Sequence, residues 1–330
     1  MKRLAALLEA GSRLIPYALG LLAFAAIAPA QSAEYPERLI RVIVPFATGG
    51  PNDLIARLVA PQLSKMLGQS VVVENRPGAA GNIGIEAVAK SAPDGYTLLV
   101  SANASTGNAA LFRTLRYDPI NDIQPVAVIA ESPYAIVVNA HLPVKNLSEF
   151  VKLARANPGK LNASAAGIGT RLAVELFKIQ NKLSLEIITY NGTGPAALSV
   201  ATGEADFAIT DTSGFMPFMP SGRVRLLAVA GDKRLYSFPN VPTTAEAGLP
   251  AYKTGTTVAI YVVTKTPTAI VQKLNTALNS ITVMPEVSEQ LQKMGGYPAP
   301  KTVEQFTHWY RSEIPLWKNV VARAKIPLEE

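Results

Sequence analysis

The sequence contains no cysteine. Disulfide bonds, thiolate metal sites and a cysteine nucleophile are therefore excluded, and so is an N-terminal cysteine that carries a lipid. Histidine is almost absent, since only His141 and His308 occur, and their spacing does not suit a metal ion. We interpret both as surface or packing residues, so no metal site is predicted.

Signatures of other enzyme classes are also missing. No G-x-S-x-G segment marks a serine hydrolase, and no Walker loop is present. The segments GAAGNIG and GIGTRLA fall short of the G-x-G-x-x-G pattern of dinucleotide sites. Asp206 and Asp211 flank a predicted strand end, where we favour solvated or capping carboxylates over a catalytic pair. The sequence thus predicts neither catalysis nor a cofactor.

Charged residues are few and are not clustered. They make up 17% of the chain, against 48% hydrophobic residues, which is typical of a globular protein. The net charge is +7, of which the first 33 residues, with three basic residues and Glu9, carry +2. No Lys/Arg cluster is interleaved with aromatic residues, which argues against nucleic acid as a partner. The mild excess favours acidic solutes but does not identify one.

The first 33 residues have the order of a secretory signal. A basic start precedes an apolar run over residues 17–28, and Ala28-Pro29-Ala30 offers an A-x-A cleavage site. The run is shorter than the ~20 residues of a membrane span, which favours cleavage near Ala33 over an anchor. No later segment has 18 uninterrupted apolar residues. We expect residues 1–33 to be removed and the mature protein to be periplasmic.

Alternating strands and helices predict an α/β protein. Strands are predicted at residues 39–46, 71–74 and 96–101, with helices at 52–67 and 83–90 between them. This order predicts a parallel sheet with helices on both faces.

The same order restarts after Pro143 and predicts a second α/β unit. Its helices are expected at 149–156, 170–181 and 194–202, with Ser148 as the N-cap of the first. Its strands are expected at 161–164, 185–190, 206–210 and 224–230.

Two further β-prone runs, at residues 125–139 and 256–264, suggest that the chain leaves the first unit and later returns to it. The expected lobes are residues 34–134 with 257–330, and residues 135–256. A cleft between two such lobes is a natural ligand site. Helices are expected afterwards at 267–280, 285–294 and 302–325.

Two segments share a strand–loop–helix form. They are RVIVPFATGGPNDLIARLV (41–59) and NASAAGIGTRLAVELFK (162–178), where Thr170 is a predicted N-cap. A helix start exposes backbone N–H groups that suit an anion, and small loop residues let a ligand approach the backbone. Arg171 is disfavoured by the helix dipole in a first turn, so it needs a tertiary contact or an anion. A plain strand–helix connection with a capped helix is the alternative at both places.

Several long segments are specific enough to indicate a family. In chain order they are VVVENRPGAAGNIG, APDGYTLL, YDPINDIQPVAVIAESP, LPVKNLSEFVKLARANPGKLN, RLLAVAGDKR and NVPTTAEAGLP. Together with the first strand–loop–helix segment, they cover nearly all of the chain after the leader. The chain resembles the receptors of the tripartite tricarboxylate transporter family, the Bug-type periplasmic solute-binding proteins.

This resemblance implies a type II periplasmic-binding-protein fold, with two doubly wound α/β lobes joined by β-strand crossings and a ligand cleft between them. It implies a receptor, expected to be a monomer, that binds a small organic acid and delivers it to the membrane components of such a transporter. In the family, the loop after the first strand and the loop that opens the second-lobe helix hold a carboxylate through backbone N–H groups and water. The candidate ligand-binding residues are Phe46, Thr48, Gly49, Gly50, Asn52, Asp53, Asn103, Ser105, Ala165, Ala166, Gly167, Gly169, Thr170, Arg171, Tyr190, Asn191, Gly192 and Asp211.

The chain departs from the family pattern at several of these positions. PFATGGPND stands where PFPPGGSTD is usual, Thr170-Arg171 where Thr-His is common, and Asn191 where a lysine is usual. Thr257-Val258-Ala259 replaces an aromatic Trp-Tyr-Gly segment. We expect Arg171 to pair with a ligand carboxylate, with an outward position or a pair with Asp211 as the alternatives. The identity of the solute stays open, and an enzyme on the same fold or a ligand-presenting partner of a membrane kinase are the alternative functions.

Overall fold

Two β-sheets with flanking helices organise the part of the chain that the structure describes. The structure is a computed structural model, and it describes residues 35–190, 192–212 and 214–330, with the side chains of Ala104 and Ser105 excepted. The predicted leader and Asn191 therefore lie outside the described residues. Within them, no helix combines the length and the apolar character that a membrane crossing requires.

Strands and helices alternate in the order expected of two α/β units. The strands are β1 (Ile40–Val44), β2 (Val71–Asn75), β3 (Thr97–Ser101), β4 (Ile123–Pro133), β5 (Ala135–Asn139), β6 (Asn162–Ala165), β7 (Glu186–Thr189), β8 (Phe207–Thr210), β9 (Val224–Val229), β10 (Gly255–Val263) and β11 (Tyr297–Pro298). The helices are α1 (Pro51–Leu67), α2 (Asn82–Ala89), α3 (Ala104–Leu111), α4 (Leu147–Ala156), α5 (Ile168–Asn181), α6 (Thr193–Thr202), α7 (Thr268–Thr282), α8 (Pro285–Lys293) and α9 (Val303–Arg323). Short 3₁₀ turns lie at Ala79–Gly81 and Met216–Phe218.

Both sheets are mixed. The strand orders are β11-β4-β10-β3-β1-β2 and β7-β6-β8-β5-β9. β1 runs parallel to β2 and β3, and β6 runs parallel to β7 and β8. β10 is antiparallel to β3 and β4, and β5 is antiparallel to β8 and β9. The α/β fold with two units is confirmed, but the expectation of a purely parallel sheet is wrong, because β10 returns from late in the chain and inserts between β3 and β4.

The local sequence explains how β1 leads into α1. Four of the five residues of β1 are buried, so the strand lies inside its sheet. Pro51 occupies the first turn of α1, where its missing N–H leaves no hydrogen bond unmade. Gly68 ends the helix in the left-handed conformation, with φ of 71°, and its N–H donates to the carbonyl of Ser64. The start of α1 is thereby fixed just beyond the carboxyl end of β1.

Two predicted helix caps are wrong. The N-cap of α4 is Asn146, not Ser148, because the extended backbone of Asn146 lets its side chain accept the N–H of Glu149. Helix α5 begins at Ile168 with Gly167 as its N-cap, so Thr170 lies within its first turn.

The chain passes between the two sheets at two adjacent places. Pro133, at the end of β4, pairs with Gly255, at the start of β10. Beyond this pair, the N–H of Tyr134 donates to the carbonyl of Thr254 at 3.0 Å, and the N–H of Thr254 donates to Ala230 at 3.0 Å. The N–H of Ala230 in turn donates to the carbonyl of Tyr134 at 2.7 Å. Three segments are therefore hydrogen-bonded to one another where the sheets meet.

Helix α9 belongs to the cores of both sheets. Phe306 and Tyr310 pack with the hydrophobic cluster of the first sheet, which includes Leu99. Trp317 and Val320, further along α9, pack with the cluster of the second sheet. The division into lobes at residues 134 and 256 stays a prediction, since α9 joins both cores.

Candidate functional site

Most candidate residues lie in loops that follow the carboxyl ends of strands. Phe46 follows β1 and Asn103 follows β3, while Ala166, Tyr190 and Asp211 follow β6, β7 and β8. Ligands of open α/β sheets bind beyond the carboxyl ends of the strands. The topology therefore gathers the candidates at the edges where a ligand is expected.

A cavity of about 300 Å³, which we call the cleft cavity, is lined by residues from both units. Three of the candidate residues line it, namely Phe46 after β1, Asn103 after β3 and Gly169 in the first turn of α5. The complete lining is Phe46, Ala80, Ala102, Asn103, Gly107, Asn108, Leu111, Tyr134, Ile168, Gly169, Leu172, Thr254, Gly255, Thr256 and Trp317. The other described candidates do not line this cavity.

The buried carboxylate of Asp53 holds the loop between β1 and α1. It accepts hydrogen bonds from the N–H of Gly49 at 2.9 Å, from Nε of Arg57 at 3.0 Å and from Nδ2 of Asn75 at 2.9 Å. Asn75 Nδ2 also donates to the carbonyl of Phe46 at 3.0 Å. The hydrogen bond from Arg57, with further help from Gly49 and Asn75, lowers the pKa of Asp53 to about 2. Asp53 is thus an ionised anchor that shapes the loop.

The start of α1 has polar groups without partners. Its N-cap, Gly50, has no side chain to cap it, and the N–H groups of Asn52 and Asp53 have no intrahelical acceptor. Oδ1 of Asn52 is buried and has no hydrogen-bond partner among the described atoms. Rotation of the amide exchanges its acceptor for two N–H donors. This helix start can therefore offer backbone and side-chain donors to an anion.

The start of α5 has the same form and is braced by Thr170. Its Oγ1 accepts the N–H of Ala166 at 2.8 Å and donates to the carbonyl of Gly167 at 3.0 Å. The N-cap of α5, Gly167, has no side chain to cap the helix, and the N–H groups of Ile168 and Gly169 have no acceptor within the helix. The backbone of this turn can donate hydrogen bonds to a ligand in the cleft cavity.

Arg171 lies in this first turn. Its side chain is half-buried and forms no ion pair among the described residues. Its Nε is buried and has no hydrogen-bond partner within the same part of the chain. Arg171 does not line the cleft cavity, although its neighbours Gly169 and Leu172 do. Its pairing with a ligand carboxylate stays a prediction.

Asn103 lines the cleft cavity, but its side-chain amide is already engaged. Nδ2 donates to the carbonyl of Gly255 at 2.6 Å, and Oδ1 accepts the N–H of Thr257 at 2.9 Å. Both bonds join the end of β3 to the first residues of β10. Asn103 therefore holds the returning strand next to the cavity.

The remaining described candidates do not line the cleft cavity. The hydroxyl of Tyr190 donates to Oε1 of Glu204 at 3.0 Å, and Gly192 is the N-cap of α6 with φ of 108°. Asp211 accepts a long hydrogen bond, 3.4 Å, from Thr210 Oγ1. Thr48 and Gly50 belong to the loop before α1, Ala165 ends β6, and Ser105 belongs to α3 with its side chain outside the described part. Asn191 lies outside the described residues. Ligand binding by these residues stays a prediction.

Tyr134, which the sequence did not single out, lies at the crossing and lines the cleft cavity. A Cβ atom added at Gly169 would lie 3.4 Å from the Tyr134 hydroxyl, which places the ring next to the start of α5. Thr256 Oγ1 donates to this hydroxyl at 3.5 Å, and burial raises the pKa of Tyr134. Tyr134 is therefore an uncharged phenol. Its only sequence signal is its place in a β-prone run.

The GAAGN segment forms another wall of the cleft cavity. Asn108 Nδ2 donates to the carbonyl of Ala80 at 3.0 Å and to Oδ1 of Asn82 at 2.8 Å. The hydroxyl of Tyr117 donates to the same Oδ1 at 2.9 Å. These bonds fix the loop before α2 against α3, so Ala80 keeps its place in the wall.

A second cavity of about 240 Å³, which we call the rear cavity, shares Asn103, Trp317 and residues 254–256 with the cleft cavity. It contains charged side chains that are mostly paired, as Glu131–Lys301 and Asp232–Lys253. Glu313 accepts the indole N–H of Trp317 at 2.8 Å, and burial raises its pKa. The loops that open α1 and α5 do not reach the rear cavity. Among the described residues, no three His, Asp or Glu side chains are grouped to hold a metal ion.

The chain is similar to known proteins in both sequence and structure. The family model described as the tripartite tricarboxylate transporter family receptor matches residues 55–326. Protein BugT of Bordetella pertussis is 34% identical over 298 residues, which cover 89% of this chain and 91% of BugT.

Two solved structures with bound carboxylates are similar to this chain. R. palustris Rpa4515 with adipate is 33% identical with a TM-score of 0.71, and the match covers 90% of this chain and 100% of that one. MatC (Rpa3494) from Rhodopseudomonas palustris with bound malate is 32% identical with a TM-score of 0.67, and the match covers 87% of this chain and 100% of that one.

Proposed function

The chain belongs to the family of tripartite tricarboxylate transporter receptors, and on that premise we propose that it captures a small carboxylated organic solute in the periplasm and delivers it to the membrane components of such a transporter. The family is one of periplasmic solute-binding receptors. Its relatives Rpa4515 and MatC have structures with adipate and with malate, two organic acids. We propose that this chain likewise binds an organic acid through its carboxylate.

One structural observation supports this proposal most strongly. The cleft cavity is lined by Phe46, at the loop that opens α1, and by Gly169, in the first turn of α5. The N-cap of each helix is a glycine, which has no side chain to cap it, and the first backbone N–H groups have no acceptor in the helix. The loop that opens α1 and the first turn of α5 therefore meet at one cavity, and the positive end of a helix suits a carboxylate.

The proposal includes a periplasmic location and a binding role without catalysis. We propose that residues 1–33 are removed on export and that the mature protein acts as a binding protein. Mass spectrometry of the exported chain should find a new N-terminus near Ala33, and an intact Met1 would contradict this. Incubation with the carboxylates that bind should yield no product by chromatography, whereas turnover would support an enzyme.

A thermal-shift screen tests the main proposal. The panel contains mono-, di- and tricarboxylates, and each acid is accompanied by its neutral amide. We expect at least one carboxylate to raise the melting temperature because a ligand that binds only the folded state stabilises it. Its amide should have no such effect. If no carboxylate gives a shift, or if amides bind as well as acids, carboxylate capture by this chain is refuted.

A further inference from the structure

We propose that the preferred solute has one carboxylate on an apolar body, of the size of benzoate or hexanoate. This inference rests on the proposed function and specifies the class of solute. It is argued from the wall of the cleft cavity in this chain. A solute with two or three carboxylates would require cationic or polar partners in that wall.

The wall of the cleft cavity is mainly apolar. Phe46 and the alanines Ala80 and Ala102 lie on the side of the first sheet, and Ile168 and Leu172 lie on α5. Leu111, Tyr134 and Trp317 complete the apolar surface. Leu172 lies one turn beyond Ile168, so the apolar wall continues from the start of α5 along the helix. An apolar pocket favours ligands with an apolar body, because burying apolar surface away from water is favourable.

The polar side chains of the wall are largely satisfied within the protein. Both ends of the Asn103 amide bond to the backbone of β10, and Asn108 Nδ2 donates to Ala80 and Asn82. Thr256 Oγ1 donates to the Tyr134 hydroxyl. These groups are less available to a ligand. The cavity is therefore poorly suited to a solute with many polar groups.

The described wall contains no charged side chain. A second carboxylate inside the cleft cavity would lose its hydration without gaining a cation, and such a burial is unfavourable. A cation does lie close to the wall at the start of α5. It is Arg171, which stands between the lining residues Gly169 and Leu172 in the sequence. One anionic group can therefore be placed at the helix starts, with the apolar body against Ile168 and Leu172.

Two matched pairs of acids test the inference by calorimetry on the mature protein. Hexanoate and adipate both have six carbons, and benzoate and terephthalate share one ring, but the second member of each pair has an additional carboxylate. We expect the monocarboxylate to bind at least tenfold more tightly in at least one pair, and benzamide not to bind. If no monoacid binds at least tenfold more tightly than its diacid, the inference is wrong while carboxylate capture stands. If none of the four acids binds, the inference is wrong, and the thermal-shift panel decides carboxylate capture separately.

A change of charge in the wall provides the second test. Ile168 is 41% exposed and lines the cleft cavity, so Ile168→Lys supplies a cation with little disturbance of the core. We expect the ratio of adipate to hexanoate affinity to rise at least tenfold. Ile120, which is 39% exposed and does not line the cavity, provides the matched control Ile120→Lys, and its ratio should not change. An unchanged ratio in Ile168→Lys would overturn the inference.

Discussion

The side-chain amide of Asn103 donates a hydrogen bond of 2.6 Å to the carbonyl oxygen of Gly255, which lies 152 residues later in the chain. This bond connects the end of β3 with the point where the chain returns from the second sheet. Gly255 also pairs with Pro133, which lies at the other crossing. Asn103 and Gly255 therefore belong both to the crossing region and to the wall of the cleft cavity.

Gly255→Ala should destabilise the protein at the crossing. A Cβ at this position would lie 2.6 Å from the carbonyl oxygen of Ser132 and 2.7 Å from the Cα of Pro133, and both are backbone atoms that cannot move aside easily. Overpacking of this kind costs about 1–3 kcal/mol. Urea denaturation should show a lower free energy of unfolding by that amount. Gly107→Ala is the control, because no heavy atom lies within 4 Å of its added Cβ; equal stability of the two variants would refute the close packing.

Asp53→Asn should weaken the loop that opens α1, and the effect should depend on pH. The hydrogen bonds of Asp53 lower its pKa from 3.8 to about 2 in the folded protein. Its contribution to stability is therefore fully present above about pH 4 and is lost as the pH falls through about 2. At pH 7 we expect a loss of about 1–3 kcal/mol in the free energy of unfolding, and a smaller loss at pH 3.

Urea denaturation at pH 7, 5 and 3 measures this difference. Asp232→Asn is the control, since its carboxylate is exposed and pairs with Lys253 at the surface. The control should lose at most about 1 kcal/mol at pH 7. A loss in Asp53→Asn that stays constant from pH 7 to 3 would contradict the assigned pKa.

Arg171→Ala should weaken binding of the tightest carboxylate of the panel by roughly ten- to a hundredfold. Charge-assisted hydrogen bonds contribute about 1.5–3 kcal/mol each, and about 1.4 kcal/mol corresponds to a factor of ten. Arg171→Lys should recover only part of the loss because lysine cannot form two parallel hydrogen bonds to a carboxylate. Calorimetry measures both variants, with the exposed Arg223→Ala as control. A folded Arg171→Ala protein with unchanged affinity would exclude this role.

Ligand binding should bring the two units closer together. The sheets are connected at two adjacent crossings, and the cleft cavity lies beside them. Small-angle scattering should show a smaller radius of gyration at a saturating concentration of the tightest carboxylate than with its neutral amide. An identical radius under both conditions would argue against closure.

The sequence predicted the order of the elements and the loops around the cavity, because both depend on local patterns. Apolar β-formers up to Phe46, followed by small residues and Pro51, predicted a strand that ends before a helix, and the strand ends two residues earlier, at Val44. The motif residues also indicated Phe46, Asn103 and Gly169, and all three line the cleft cavity. The short helix α3 was not predicted, because ASTGNAAL has little amphipathic periodicity.

The other cavity walls depend on contacts that local patterns do not encode. Leu111, Leu172 and Trp317 come from three helices, and each reads in the sequence as a core residue. They reach one cavity only because α3, α5 and α9 meet in a shared hydrophobic cluster. The insertion of β10 between β3 and β4 is likewise a long-range pairing. The apolar character of the cleft cavity therefore became visible only in the structure.

A crystal structure of the protein with the tightest-binding carboxylate of the panel tests the account most directly. We predict that the carboxylate lies in the cleft cavity, with its oxygens about 3 Å from backbone nitrogens at the starts of both α1 and α5. The body of the solute should contact Ile168 and Leu172. A carboxylate bound in the rear cavity, or one that contacts neither helix start, would contradict the account.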